Sequence, residues 1–132
     1  MQFRVSVMNS HHFIGVGLLS QTLKQTSARL DDVAVQISEM IVCCDLEIVS
    51  QKTVHFDNGG ATLVWILAES HLVVHLWTRE DFATVDLHVC DYKSSNLESA
   101  QRLRDGLDKF CFAPAVSKWL EFTLPQPTSA IA

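Results

Sequence analysis

The sequence predicts an α+β domain in which a mainly antiparallel β-sheet carries two helices packed on one face. Three observations point there. Residues 82–90 alternate strictly between two kinds of side chain, the period-two signature of a half-buried strand. Two other stretches space their apolar residues three and four apart, as one face of a helix requires. The order strand, helix, strands, helix, strand gathers the strands into one run between the helices rather than alternating the two types.

Residues 13–19 are apolar and β-tolerant, weakened by Gly15 and Gly17, and read as a first strand that follows the pair His11 and His12. Between residues 27 and 44, Leu30, Val33, Ile37, Met40 and Ile41 form an apolar helical stripe, with Asp31 and Asp32 near the start favouring the helix dipole. Four strands follow at residues 46–56, 61–69, 71–77 and 82–90, with breaks at 57–60 and 78–81. In the last of them Ala83, Val85, Leu87 and Val89 face one way, while Phe82, Thr84, Asp86, His88 and Cys90 face the other. Cys90 therefore lies on the chemically equipped face.

Ser95 followed three residues later by Glu98 predicts a capping box, and Leu97, Ala100, Leu103, Leu107 and Phe110 continue it as a second amphipathic helix. Pro114 ends that helix, and a closing strand spans residues 116–124. The tail with Pro125, Pro127 and Ser129 is expected to be loose. Helices on one face leave the other uncovered, and large groups such as Trp65 and Trp77 among the strands suggest that a partner subunit buries it.

With 132 residues and 48% hydrophobic content, the chain is expected to be a single domain, residues 1–132, with a real core. Its longest apolar runs, such as residues 61–68, are far shorter than a membrane span, so no membrane partner is expected. The net charge is −5 and the ten Lys and Arg never cluster, which argues against nucleic acid as a partner. Residues 1–10 lack the charged start and apolar middle of a secretory signal, so a cytoplasmic setting is expected. Cys43, Cys44, Cys90 and Cys111 show neither a disulfide framework nor a CxxC knuckle and read as reduced thiols.

The densest set of reactive groups is Glu69, Ser70, His71 and His75, followed by His88 and Cys90. Alternation puts Glu69, His71 and His75 on one face, where two imidazoles and a carboxylate could bind zinc; no metal is the preferred reading. A serine hydrolase is disfavoured, because Ser70 sits in a strand-like run without the Gly-x-Ser-x-Gly elbow.

These residues resemble a known family, the prokaryotic S-adenosylmethionine decarboxylase proenzymes. Ala68-Glu69-Ser70-His71-Leu72 with His75 and Trp77 resembles its self-processing segment, residues 83–90 its following strand, and Phe56, Gly60 and Thr62 its approach strand. His12 and Phe13 resemble its opening. The resemblance implies a sandwich of that family's kind. It also implies cleavage between Glu69 and Ser70, by attack of the Ser70 hydroxyl on the Glu69 carbonyl, ester formation and elimination, which leaves Ser70 as a covalently bound pyruvoyl group.

On the same resemblance His75 removes the Ser70 α-proton, Thr62 assists the ester stage where relatives often carry serine, and Cys90 is the proton donor in decarboxylation. The pyruvoyl ketone would replace pyridoxal phosphate, condensing with the amine of a small amino-acid-type substrate. Phe56 is a candidate to stack on adenine. The position four after His75, where the family carries a glutamate on the ribose hydroxyls, is Arg79, with Glu80 next to it. Asp57, Asn58 and Gly59 replace the residues before the approach glycine, and Asp91 replaces the glycine after the cysteine.

S-adenosylmethionine is the first expected substrate, serving spermidine and polyamine synthesis. Ornithine or arginine is the alternative, with Asp57, Glu80 and Asp91 available to pair with a distal cation. A non-catalytic dimerising relative is the reading from another class. A homodimer of cleaved protomers is implied. Because Ser70 and His75 are five apart, an unbroken strand would point them to opposite faces, so the chain is expected to bend, bulge or separate between them.

Overall fold

A computed structural model describes residues 8–26, 29–92 and 94–125. The elements run β1 (Asn9–Leu18), α1 (Gln21–Thr26), α2 (Leu30–Cys43), β2 (Ile48–His55), β3 (Ala61–Leu67), β4 (Ser70–Trp77), β5 (Phe82–Cys90), α3 (Leu97–Cys111) and β6 (Lys118–Pro125). The six strands form one sheet in the order β2-β3-β4-β5-β1-β6, and every neighbouring pair is antiparallel. The α+β class holds, with one helix more than expected. The extra helix, α1, is only six residues long. Ser20 caps it by accepting the Leu23 N–H at 3.0 Å.

One face of the sheet is the core. Leu63, Trp65 and Leu67 of β3, Leu72, Val74 and Leu76 of β4, and Val85, Leu87 and Val89 of β5 are all buried there. They meet Val33, Ile37 and Ile41 of α2 and Ala100, Leu103 and Leu107 of α3. Each fully buried aliphatic side chain of this kind contributes about 1.5–3 kcal/mol, so the two amphipathic stripes supply much of what holds the helices down. Trp65 belongs to this core and not to the open face: it is 0% exposed, and its indole N–H donates to Ser38 Oγ of α2 at 2.9 Å. Trp77 is on the open face, stacked on Phe82 at 5.6 Å.

Two ends differ from expectation. The Ser95–Glu98 capping box does not form; α3 starts after Asn96, which has no side-chain cap bond. The Asn96 N–H is instead taken by Asp91 Oδ1 at 2.9 Å, and Asn96 Nδ2 donates to the Cys90 carbonyl at 3.0 Å. These bonds fix Asn96 rather than Ser95 at the start of the helix, and Ser95 Oγ takes the Leu97 N–H at 3.4 Å instead of that of Glu98. At the other end Pro125 is the last residue of β6, paired with Asn9, rather than part of a loose tail; β6 is an edge strand, where proline is tolerated. Pro127, Ser129, Ser27 and most of the 1–10 segment lie outside the described residues.

The glycines of β1 serve packing. A Cβ on Gly15 would lie 2.8 Å from the Trp119 ring, and one on Gly17 would lie 2.8 Å from Phe112, so β1 passes under two aromatic rings that no larger residue would admit. Cys43 is exposed at the end of α2, whereas Cys44 and Cys111 are buried, and burial pushes the Cys111 thiol up to about 12. No described helix is long and apolar enough to cross a membrane.

Candidate active site

The open face of the sheet carries two groups of polar side chains, one at each end of β4. The first surrounds Ser70. Chain reversal between β3 and β4 takes only Ala68 and Glu69, so Ser70 is the first residue of β4, paired with Leu67 and Val89. Alternation would send its side chain into the core beside those two. It goes the other way: Ser70 Oγ lies 3.0 Å from His88 Nδ1 and 3.4 Å from His71 Nδ1, both on the open face. The backbone makes this possible by adopting φ 151° at Ser70, a conformation that side chains rarely adopt and that costs about 1–3 kcal/mol. Here is the bend that the spacing of Ser70 and His75 demanded.

The peptide that Ser70 would attack is also held. The Glu69 carbonyl accepts the Cys90 N–H at 2.8 Å, a donor placed where negative charge would develop on that oxygen. The Glu69 side chain points elsewhere and accepts the Glu47 N–H at 3.1 Å. It does not join His71 and His75 in a zinc site, and among the described residues no group of three or more His, Cys, Asp or Glu is arranged to hold a metal ion.

Around Ser70 the strands β1 and β5 add further groups. Cys90 Sγ lies 3.5 Å from His88 Nε2, and Ser10 Oγ lies 3.2 Å from that same nitrogen and 2.6 Å from His12 Nε2. Burial, with a smaller contribution from the Asp91 charge, pushes the Cys90 thiol up, so it keeps its proton at neutral pH.

The second group is at the far end of the same face. Thr62 Oγ1 and His75 Nδ1 are paired across β3 and β4 at 2.8 Å. Beside them is a cavity of about 190 Å³, lined in part by Phe56, Asn58, Thr62, His75 and Trp77. Phe56 is 51% exposed at the end of this cavity. His75 is five residues along β4 from Ser70, roughly 16 Å at the rise of a strand. Within one chain, therefore, Ser70 and Cys90 come together and Thr62 and His75 come together, but the two pairs do not meet. Arg79 and Glu80 are exposed in the turn between β4 and β5.

Asp91 is not free to meet a substrate cation. Its carboxylate accepts from Asn96 and from His11 Nε2 at 2.9 Å, with Asn9 N–H at 3.4 Å, while His11 Nδ1 bonds Thr123 of β6 at 2.9 Å. Burial alone would raise its pKa, but these bonds outweigh that and hold it below the usual carboxylate range. A lowered folded-state pKa means that stability is present above the unfolded value of ~3.9 and is lost as pH falls through the folded one. Asp91→Asn is therefore expected to lower stability at pH 7 by roughly 1.5–3 kcal/mol, the worth of hydrogen bonds to a charged group. In urea unfolding the gap from the parent protein should narrow at pH 3; a gap of equal size at both pH values would refute the ionic part of this account.

Sequence reasoning recognised the strand of Cys90 and offered His71 only as a zinc ligand with Glu69 and His75; it assigned no role to His88 or Ser10. The alternation of β5 placed His88 beside Cys90, and that was the available signal. Ser10 and His12 reach the site only through the pairing of β1 with β5, which no local pattern reports.

Residues 19–110, well over half of the chain, match the sequence profile of a family described as S-adenosylmethionine decarboxylase. An arginine decarboxylase proenzyme of Pyrobaculum arsenaticum is 24% identical over 98 residues, covering 74% of each chain. The S-adenosylmethionine decarboxylase proenzyme of Aquifex aeolicus is 34% identical over 62 residues, 47% of this chain and 46% of that one, so the match spans less than half of that relative. A crystal structure of the adenosylmethionine decarboxylase from the same organism superposes with a TM-score of 0.70 at 21% identity, covering 89% of this chain and 90% of the other, a likeness of fold.

Proposed function

This chain belongs to the S-adenosylmethionine decarboxylase family, and on that premise we propose that it is a proenzyme which cuts itself between Glu69 and Ser70 and turns Ser70 into a pyruvoyl group. The observation that carries this reading is the setting of Ser70: a strained residue whose hydroxyl contacts imidazole, next to a Glu69 carbonyl already bonded by the Cys90 N–H. Each part favours attack on that peptide. The strain is released when the amide opens, and the N–H stabilises the developing oxyanion.

Once formed, the pyruvoyl group supplies a ketone that binds the substrate amine and accepts the electrons left by departing carbon dioxide. Cys90, a protonated thiol that contacts the same His88 ring as Ser70, fits the proton donor of that reaction. His75 fits the base that removes the Ser70 α-proton, with Thr62 fixing its ring, but only if it comes from a second copy.

The open face supports such a dimer. Ile14, Leu18, Ile66, Trp77, Leu120 and Phe122 are exposed on it, an apolar surface in which Ile14 and Leu120 lie between the two polar groups and the others flank them. Two protomers packed face to face about a two-fold axis would bring the Thr62–His75 pair of each toward Ser70 of the other.

S-adenosylmethionine is the proposed substrate, supported by Phe56, an exposed ring for adenine at the cavity that holds Thr62 and His75. Arginine is the second reading, favoured by the relative that covers 74% of the chain and by Asp57, an exposed carboxylate next to Phe56. With Asp91 engaged by His11, fewer acidic groups remain for a distal cation than the sequence offered.

Electrophoresis and mass measurement of the purified protein test the cleavage. Two fragments are expected, residues 1–69 and residues 70–132 with a blocked amino terminus. Carbon dioxide release from labelled S-adenosylmethionine, arginine and ornithine then assigns the substrate. A single chain that is resistant to hydroxylamine and releases carbon dioxide from none of the three would return the non-catalytic dimerising reading.

A further inference from the structure

We propose that His88 is the base that takes the Ser70 hydroxyl proton in the first step of self-cleavage, in a role separate from that of His75. The inference rests on the self-cleavage reading and adds a residue to it. His88 Nδ1 is the nearer of the two imidazole nitrogens at Ser70 Oγ, at 3.0 Å against 3.4 Å for His71. A hydroxyl has one proton to give, and the shorter contact receives it.

The rest of the ring is arranged to suit an acceptor at Nδ1. A neutral imidazole that accepts there carries its proton on Nε2, and Ser10 Oγ lies 3.2 Å from that nitrogen. Ser10 can pass the relay on, since its own hydroxyl lies 2.6 Å from His12 Nε2. One consistent chain of donors results: Ser70 to His88, His88 to Ser10, Ser10 to His12.

The ring is also fixed in position. His12 stacks on His88 at 4.1 Å, Phe122 stacks on His12 at 4.6 Å, and His71 meets His88 edge-on at 5.2 Å. Burial, and then the neighbouring His12 and His71, lower the His88 pKa, which keeps it in the neutral, proton-accepting form.

The step balances. The Ser70 proton moves to His88 Nδ1 as Oγ bonds to the Glu69 carbonyl carbon, and the carbonyl electron pair moves to the oxygen bonded by the Cys90 N–H. When that pair returns, the bond from carbon to the Ser70 nitrogen breaks, and His88 gives its proton to the leaving amine. An ester remains and His88 is neutral again.

Hydroxylamine separates this step from the next, because it cuts an accumulated ester but not an amide. Full-length His88→Phe, which keeps a stacking ring, and His88→Asn, which keeps an acceptor without a base, are compared with His75→Ala and the parent protein. Both His88 variants are expected to split at least ~100-fold more slowly and to stay uncut in hydroxylamine. His75→Ala is expected to stall later and be cut by hydroxylamine at residue 70.

The proposal is overturned if either His88 variant that melts cooperatively splits within a few-fold of the parent, or is uncut but opened by hydroxylamine. It is equally overturned if His71→Asn slows the ester step more than His88→Asn does. A parent chain that neither splits nor yields to hydroxylamine would defeat the self-cleavage reading itself, which the variants alone would not.

Discussion

Ser70→Ala is expected to give one uncut chain of 132 residues with no measurable decarboxylase activity. Without the hydroxyl there is no nucleophile for the Glu69 carbonyl and no atom from which the pyruvoyl ketone can form. The expected loss is that of the whole catalysed reaction, on the order of 10⁶-fold or more. The same position offers a check on geometry that needs no activity. Alanine keeps the Cβ that φ 151° disfavours, whereas glycine tolerates this backbone.

Ser70→Gly should therefore unfold at higher urea than Ser70→Ala, although both are uncleavable. Relief of about 1–3 kcal/mol of strain, less the ~0.5–1 kcal/mol entropic cost of glycine, leaves a gap of up to about 2.5 kcal/mol. Equal stability of the two variants would mean that the strain at Ser70 does not exceed the ~1 kcal/mol cost of glycine. The account of why this peptide, among all in the chain, is the one proposed to open would then lose a main support.

Much of this architecture was readable locally. The alternation of residues 82–90 fixed both the limits and the faces of β5, because a strand half in water must alternate. The breaks at 57–60 and 78–81 were equally clear, marked by Asp, Asn and Gly in the first and by charged residues in the second. By contrast, the reversal at Ala68 and Glu69 carries no glycine, proline or asparagine, so the strands expected at 61–69 and 71–77 divided at Ser70 itself and not at the two residues before it. A turn made from residues unsuited to it leaves a neighbour in an uncommon conformation, and that neighbour is Ser70. The weak turn signal there and the chemistry proposed there have one cause.

Other errors came from competition at a distance. Nothing near Ser95 reveals that Asp91 will capture the Asn96 N–H, since Asp91 is itself positioned by His11, some eighty residues earlier in the chain. The same pairing of β1 with β5 brings Ser10 and His12 to His88. Trp65 read as a candidate for the interface because its strand is apolar on both faces, and only the register with β4 shows that it packs beneath α2.

The separation of His75 from Ser70 makes a mixing experiment the decisive one for the assembled site. Alone, Ser70→Ala lacks the nucleophile and His75→Ala lacks the base, so neither should complete cleavage. If each site takes its base from the opposite protomer, a mixed dimer holds one intact combination: Ser70 of the His75→Ala chain facing His75 of the Ser70→Ala chain. Refolding the two variants together at equal concentration, with a tag on one, should make about half of the dimers mixed, by random pairing about a two-fold axis. About half of the His75→Ala chains should then split, and all of the Ser70→Ala chains should stay whole. The asymmetry is the important part, because a general gain in folding would not choose between the chains. If mixed dimers form, as a pull-down on the tag would establish, and the His75→Ala chain remains uncut, His75 does not act across the interface. Some rearrangement within the chain would then have to close a gap of roughly 16 Å, which a continuous β4 opposes.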